Sequence, residues 1–359
     1  MQLLKPVEIG GVKLKNRMAM APMTRSRAGM NGVVGGSTVT YYTQRVSAGL
    51  IISEAINISK QAIGSPLTPG LYTAEQVDAW KKVTQAVHEN GGTIYAQLWH
   101  TGRVGHSAVR DGALPVAPSS TGIQGKQHFT PEGMKDYETP IALMADEIEG
   151  IIQDYGRAAR HAMEAGFDGV ELHAAFGYLP DQFLATSSNQ RTDHYGGTIE
   201  NRNRFVLEVM QALVESTGVN KAAIRLSPTS IFNSISHQHP VEQFAALIER
   251  LNQLPLAYLH LMKIPFPADK FPHYPVDVIE TCGTLSAHPV IANCGYNRET
   301  GEAELQRGIA SMISYATLFL ANPDLPKRFE INAALNQADR STMYGGKDQG
   351  FIDYPFLEN

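Results

Sequence analysis

The chain has 359 residues, is 43% hydrophobic and carries a formal net charge of −5, so it can bury a large core as one α/β barrel or as two ordinary domains. The slight acidic balance, without blocks of like charge, argues against a nucleic-acid surface or a polybasic membrane patch. Because we find no signal-peptide core, no apolar run of 18 residues and only two cysteines, we expect a cytoplasmic protein with no membrane partner and with unpaired thiols.

Short apolar runs alternate with amphipathic helical patterns along the chain. The predicted strands are 18–22, 50–55, 93–99, 169–174, 223–227, 258–263, 289–294 and 312–318. The predicted helices lie near 38–48, 75–90, 146–165, 199–217, 240–253, 275–283, 298–308 and 323–335. Strict alternation implies parallel strands joined by right-handed crossovers, and eight such units predict a (β/α)8 TIM barrel. A doubly wound α/β sheet is the alternative, but no G-x-G-x-x-G follows the first strand.

The pattern predicts a single domain over residues 1–359, because no linker or shift in composition divides the chain. An insertion rich in Gly, Pro, Ser and Thr occupies about 100–145, and an irregular tail occupies about 336–359. Thr73 and Gln76 predict a capping box at the start of the second helix, and Gly91 and Gly92 predict its end.

Polar residues follow the predicted strands, and a barrel brings all strand ends to one opening. Gln97 offers an amide, Arg225 a guanidinium, Thr24 a hydroxyl and His173 an imidazole, each on a different strand. This set suits a flat heteroaromatic ring, and the loops after strands seven and eight suit a small anion, so the strand ends predict an FMN site. No H-E-x-x-H, paired Cys/His spacing or G-x-S-x-G elbow occurs, so we expect no metal.

Each of these residues alone also has a purely structural explanation. Gln97 can be a satisfied strand amide, and Arg225 a buried salt-bridge partner. His173, two residues from Glu171, can be a hydrogen-bonded core histidine, and Tyr178 can be ordinary packing. Their common placement at strand ends is what favours a shared site.

Several segments resemble the old yellow enzyme family of flavin-dependent ene-reductases, in the expected order over nearly the whole chain. They are LKNRMAMAPMTRSRA (14–28), AGLIISEAINIS (48–59), AQLWHTGRVGH (96–106), the long stretch GFDGVELHAAFGYL to NRNRF (166–205), FLANPDL (319–325) and QGFIDYP (349–355). The resemblance implies a (β/α)8 barrel that holds FMN non-covalently and uses NAD(P)H to reduce a small electrophilic alkene, as a monomer or homodimer.

The resemblance also assigns roles to individual residues. His173 is expected to bond the substrate's activating oxygen, and Tyr178 to protonate the alkene carbon opposite the hydride; both would be catalytic. Substrate binding is further expected at Phe176 and Tyr344. Cofactor binding is expected at Pro22, Met23, Thr24, Ala55, Gln97, Arg225, Cys294, Gly295, Ala316 and Thr317.

The chain departs from the family pattern at two of these positions. Where the family has Asn or His, this chain has Phe176, which leaves one donor instead of two for the substrate oxygen. Where the family has a phosphate-binding arginine, this chain has Thr317. The resemblance leaves open whether FMN is held more weakly or whether another group, such as Arg298, compensates.

Three hypotheses therefore compete. The first is an FMN oxidoreductase of the ene-reductase type with altered substrate activation. The second is a degenerate barrel that binds FMN weakly or not at all and acts as a binding or regulatory protein. The third, a metal-dependent lyase or aldolase, lacks a ligand cluster and has no strand-end lysine beyond Lys263.

Overall fold

A computed structural model describes residues 1–358 of the chain. Its strands are β1 Val7–Ile9, β2 Val12–Leu14, β3 Met18–Met20, β4 Leu50–Asn57, β5 Ile94–Trp99, β6 Val116–Ala117, β7 Gln127–Thr130, β8 Gly133–Asp136, β9 Ile141–Ala142, β10 Gly169–Ala174, β11 Ala222–Leu226, β12 Leu259–Met262, β13 Val290–Asn293 and β14 Met312–Tyr315. Its α-helices are α1 Gly36–Thr43, α2 Ala74–Glu89, α3 Ala145–Glu164, α4 Leu179–Leu184, α5 Ile199–Thr217, α6 Pro240–Leu251, α7 Arg298–Gln306, α8 Thr317–Ala321 and α9 Leu325–Ile331.

Eight of these strands form a closed parallel barrel in the order β3, β4, β5, β10, β11, β12, β13 and β14, with β14 pairing back onto β3. Every residue of β4, β5 and β10 is buried, as expected of parallel strands covered on both faces. All eight predicted barrel strands are confirmed, and so is the predicted (β/α)8 fold class.

The predicted start of α2 is also confirmed. Thr73 accepts a hydrogen bond from the Gln76 amide, and the Gln76 side chain accepts from the Thr73 amide. The buried face carries Val77, Trp80 and Val83, and the chain then turns at Gly91 with a φ of 70°. Local side-chain chemistry therefore determines where this helix begins and which face it buries.

Some predicted boundaries are wrong. The run predicted as a strand over 312–318 ends at Tyr315, and Thr317 begins α8. A run of apolar residues does not by itself show where a strand ends and a helix begins. The predicted helix 275–283 is a single π-helical turn, Ile279–Gly283. The predicted helices 38–48 and 323–335 are shortened to α1 and α9.

A hairpin that the sequence reading missed closes the N-terminal end of the barrel. Strands β1 and β2 pair antiparallel around Gly10 and Gly11, whose φ values are 60° and 78°. A Cβ on Gly10 would lie 2.5 Å from a backbone oxygen, so the close approach requires glycine. Gly-Gly between two apolar runs is a hairpin signal, and Ile9 and Leu14 pack under the barrel strands.

The insertion at about 100–145 contains two small sheets, β6 with β9 and β7 with β8. Its hairpin exposes Phe129 and Met134 beside the open end of the barrel. Within residues 1–358, none of the helices combines the length and apolar character that spanning a bilayer requires.

Candidate active site

A cavity of about 390 Å³ opens at the C-terminal ends of the barrel strands. It brings together twelve of the residues that the sequence singled out, from six different strand ends and the tail. They are Pro22, Met23, Thr24, Ala55, Gln97, His173, Phe176, Tyr178, Arg225, Ala316, Thr317 and Tyr344.

A second cavity of about 400 Å³ shares part of this wall and extends toward the ends of β13 and β14. Cys294 and Gly295 line it, so the structure also places these two predicted residues at the site. The shared wall residues are Pro22, Phe176, Arg225, Ala316 and Thr317. The two cavities therefore adjoin along this wall, one at the barrel mouth and the other at the loops after β13 and β14.

A tight turn after β10 presents the predicted catalytic residues. Phe176 has a φ of 58° and Gly177 a φ of 77°, so two consecutive residues adopt left-handed conformations. The Phe176 amide donates to Ser227 Oγ at 3.0 Å, and the Gly177 amide donates to Asp181 Oδ2 at 2.8 Å. These bonds hold the backbone in a conformation that is uncommon for a bulky residue.

His173, Tyr178 and Trp99 form an aromatic cluster on one wall. The Trp99 ring stacks at 6.2 Å on His173 and meets Tyr178 edge-on at 4.8 Å, between ring centroids. The sequence reading did not select Trp99, although its position at the end of β5 is the same signal that identified Gln97. Trp99 packs against both rings and thereby holds His173 and Tyr178 in the cavity wall.

Burial sets the protonation states of these two side chains. Burial and the nearby charge of Arg225 lower the pKa of His173 well below its ordinary value, so the imidazole is neutral at neutral pH. Burial raises the pKa of Tyr178, so the phenol keeps its proton. The site thus holds one neutral imidazole and one hydroxyl that can give up a proton.

Arg225 lies at the junction of the two cavities. Its Nη2 donates to Asn293 Oδ1 at 2.9 Å, and the Asn293 amide donates to the Ser314 carbonyl at 3.0 Å. Burial lowers the pKa of Arg225 from a very high ordinary value, so the group remains a cation. Asn293, at the end of β13, therefore orients the guanidinium that lines both cavities.

The Phe176 side chain occupies the space between the predicted substrate and cofactor residues. Its ring meets His173 edge-on at 6.1 Å and lies 5.7 Å from the Arg225 guanidinium carbon. Phe232, a residue that the sequence reading missed, meets the other side of the ring at 5.5 Å. This position therefore supplies an apolar surface and no hydrogen-bond donor.

A buried polar network lies beneath the cavity floor. Gln97 Nε2 donates to Glu171 Oε1 at 2.7 Å, and His260 Nδ1 lies 2.9 Å from Glu171 Oε2. His260 Nε2 lies 2.8 Å from Ser314 Oγ. A carboxylate can only accept, so His260 Nδ1 carries the proton and Nε2 accepts from the serine hydroxyl.

The charges in this network follow from burial and from its hydrogen bonds. Burial lowers the pKa of His260, so the imidazole is neutral. Burial alone would raise the pKa of Glu171, but the hydrogen bonds from His260 and Gln97 and the charge of Arg225 hold it below its ordinary value. The ionised carboxylate accepts the hydrogen bond from the Gln97 side-chain amide, and the Gln97 side-chain oxygen remains free to accept another.

Replacing Glu171 by glutamine is expected to lower the free energy of unfolding by about 1–3 kcal/mol, because an amide N–H group would face a donor in a buried network. Urea denaturation followed by circular dichroism measures this change. Glu8→Gln, on an exposed residue of β1, is the matched control. Equal stability of Glu171→Gln and wild type would show that the network does not depend on the carboxylate.

The far cavity has the donors that an anion requires. No hydrogen bond within residues 1–358 uses the backbone amides of Cys294, Gly295, Ala316 or Thr317. Arg298, the alternative cation, points elsewhere: its Nε donates to the Phe329 carbonyl at 2.8 Å, and its Nη1 contacts Glu299. The arginine that the sequence suggested therefore does not line this cavity.

Two observations show that the two adjoining cavities fit FMN. Arg225 Nε and His173 Nδ1 are buried with no partner inside the described chain. Polar atoms therefore remain unsatisfied at the first cavity, where the sequence predicts the flavin ring and which we call the ring end. The second cavity is lined by Cys294, Gly295, Ala316 and Thr317, whose backbone amides have no partner inside the described chain. Across residues 1–358, no group of three or more His, Cys, Asp or Glu side chains gathers as a metal site.

The mouth of the site widens into an outer cavity of about 690 Å³. Tyr344 from the C-terminal tail and Phe129 from the β7–β8 hairpin line it together with Trp99 and Tyr178. Tyr344 is 68% exposed, so this predicted pocket residue forms part of the rim and not of the enclosed wall.

Comparison with known proteins gives consistent results. A family model described as the NADH:flavin oxidoreductase / NADH oxidase family matches residues 2–336. The chain is 43% identical to 12-oxophytodienoate reductase 1 of Oryza sativa subsp. japonica, over 99% of this chain and 93% of that protein. It is 39% identical to a probable flavin mononucleotide-dependent alkene reductase of Leishmania infantum, over 99% and 97% of the two chains.

Solved structures agree over the full length. Morphinone reductase in complex with tetrahydroNAD superposes with a TM-score of 0.94 at 44% identity, covering 100% of this chain and 98% of that one. An old yellow enzyme homologue from Zymomonas mobilis superposes with a TM-score of 0.95 at 41% identity, covering 99% and 100%.

Proposed function

The chain belongs to the NADH:flavin oxidoreductase / NADH oxidase family, as an FMN-dependent ene-reductase of the old yellow enzyme type, and we propose which of its residues perform the reaction and how its substrate is activated. The observation that carries this proposal is the convergence of Thr24, Gln97, Arg225, His173 and Tyr178 on one cavity. The whole of residues 1–359 is proposed to act as one FMN-binding unit.

Pro22, Met23, Thr24 and Ala55, from the first two barrel strands, and Gln97 and Arg225 are proposed to hold the flavin ring, with Arg225 placing positive charge at the edge that becomes electron-rich. Cys294, Gly295, Ala316 and Thr317 are proposed to hold the phosphate through the amides described above. Bound FMN supplies a hydride that it receives from NADH or NADPH.

The substrate is proposed to be a small alkene activated by a carbonyl or nitro group; among the relatives, one is named for an oxo compound and another for alkenes. Neutral His173 donates a hydrogen bond to the activating oxygen, and the Tyr178 hydroxyl gives its proton to the alkene carbon opposite the hydride. Phe176, Trp99 and the rim residue Tyr344 enclose the carbon skeleton. Because Phe176 cannot donate, the oxygen is held by one group instead of two, and simple cyclic enones are expected to react slowly.

The proposal is tested first by the colour and flavin content of the purified protein. We expect a yellow protein that carries FMN in stoichiometric amount and that NADH or NADPH bleaches in the absence of oxygen. A colourless protein that does not take up added FMN would contradict the proposal and favour the degenerate barrel. Cytoplasmic location and a monomeric or dimeric state stay predictions from the sequence; fractionation and analytical ultracentrifugation would measure them.

The pH dependence of alkene reduction is expected to show no titration of His173 between about pH 6 and 8. The pKa of His173 is lowered, so its proton is bound only below that window, and the neutral donor persists throughout. Steady-state kcat/KM measured against pH in wild type and His173→Gln checks this. A break inside the window that His173→Gln removes would show that the imidazole is charged at the lower pH.

A further inference from the structure

Lys263 follows directly after β12 and lies beside the anion-binding end of the cavity. Its backbone amide donates to the Asn293 carbonyl at 3.2 Å, which places it next to Cys294 on the neighbouring strand. Its Nζ lies 3.8 Å from the centre of the Tyr296 ring. Met262, Cys294 and Tyr296 line the far cavity, so the ammonium group lies directly behind residues of its wall, against the Tyr296 ring.

This ammonium has no acidic partner. Across residues 1–358, no carboxylate forms an ion pair or hydrogen bond with Lys263 Nζ, which lies over the aromatic face of Tyr296. Its charge reaches the cavity wall: burial raises the pKa of the Cys294 thiol, while Arg225 and Lys263 oppose that shift. A positive charge that has no acidic partner and lies beside a cavity attracts an anionic ligand to that cavity.

The other cations near this end have other places. Arg225 donates to Asn293 at the junction of the two cavities and is the residue proposed to hold the flavin ring, and Arg298 donates to the Phe329 carbonyl. Thr317, where the family resemblance expects a phosphate-binding arginine, offers only a hydroxyl and an amide. The free amides of Cys294 and Gly295 can orient an anion but carry no net charge.

We propose that Lys263 is the cationic partner of the FMN phosphate in this chain, in place of the arginine absent at position 317. The inference rests on the proposed function, because it takes the far cavity as the phosphate end of the flavin site. A lysine reaches the phosphate from the neighbouring strand as a flexible point charge, and it needs only to leave the face of Tyr296.

The experiment compares FMN with riboflavin, which lacks the phosphate, in fluorescence titrations of flavin-free protein. Lys263→Met keeps the aliphatic stem against Tyr296 and removes the charge. We expect it to weaken FMN binding by about 10- to 100-fold and to leave riboflavin binding unchanged. Lys263→Arg should retain wild-type FMN affinity, and raising the salt concentration should weaken FMN binding in wild type more than in Lys263→Met.

Two further variants serve as controls, and each outcome either supports or overturns the proposal. Lys13→Met, on the hairpin at the opposite end of the barrel, should leave both affinities unchanged. An unchanged FMN affinity in Lys263→Met, or an equal loss of FMN and riboflavin, would overturn the proposal. A selective loss of FMN in Arg298→Gln would transfer the role to that residue. If wild type binds neither flavin, the proposed function itself fails, which is a different result.

Discussion

Replacing Tyr178 by phenylalanine is expected to slow alkene reduction by about 10²- to 10⁴-fold, the range that a positioned general acid contributes. The buried phenol keeps its proton because its pKa is raised, and the edge-on contacts with Trp99 at 4.8 Å and His173 at 4.9 Å hold it over the cavity. Phenylalanine preserves these ring contacts and removes only the proton source.

Stopped-flow absorbance separates the two halves of the reaction in this variant. Bleaching of the flavin by NADH should proceed as in wild type, because no proton from Tyr178 is needed there, whereas reoxidation by the alkene should slow. Tyr354→Phe, which removes a phenol that accepts a bond from Asp339 in the C-terminal tail, should leave both halves unchanged. An unaffected reoxidation rate in Tyr178→Phe would mean that another group supplies the proton.

Replacing Phe176 by asparagine is expected to raise the rate of cyclic enone reduction by about 10- to 1000-fold, by restoring a second donor to the substrate oxygen. Negative charge builds on that oxygen in the transition state, so a donor there acts on kcat more than on substrate binding. The ring of Phe176 lies 6.1 Å from the ring of His173, the remaining donor, and 5.7 Å from the Arg225 guanidinium carbon.

The backbone favours the same substitution. Phe176 has a φ of 58°, a conformation that costs most side chains about 1–2 kcal/mol and that asparagine tolerates. Phe176→Asn should therefore be no less stable than wild type despite losing the aromatic contacts with Phe232. Thermal unfolding of the two proteins measures this balance.

Phe176→Leu separates the effect of a missing hydrogen-bond donor from steric blocking by the phenyl ring. Leucine shortens the side chain without adding a donor, so it should leave enone reduction near the wild-type rate. If leucine and asparagine accelerate the reaction equally, the phenyl ring acts by blocking the substrate and not by withholding a hydrogen bond. If wild type already reduces cyclohexenone as fast as NADH reduces its flavin, a donor outside this turn activates the substrate.

The sequence by itself determined the barrel fold and which residues meet at its open end. Apolar runs and helical periodicity are local properties, and eight alternating units leave few ways to close a parallel sheet. Once the strands are parallel, their C-terminal ends must share one opening, so Thr24, Gln97, His173 and Arg225 had to meet there. The same argument would have found Trp99, which also ends a barrel strand.

Only the tertiary structure decided which side chains are partners. Glu171 bonds Gln97 across 74 residues and His260 across 89, and the sequence neighbour His173 takes no part in this network. The closeness of Lys263 to Tyr296 and the turning of Arg298 away from the cavity likewise depend on strand register and rotamers. A residue pattern repeats every two or 3.6 positions and carries no information about which residue lies opposite on another strand, because that choice is made by packing the whole barrel.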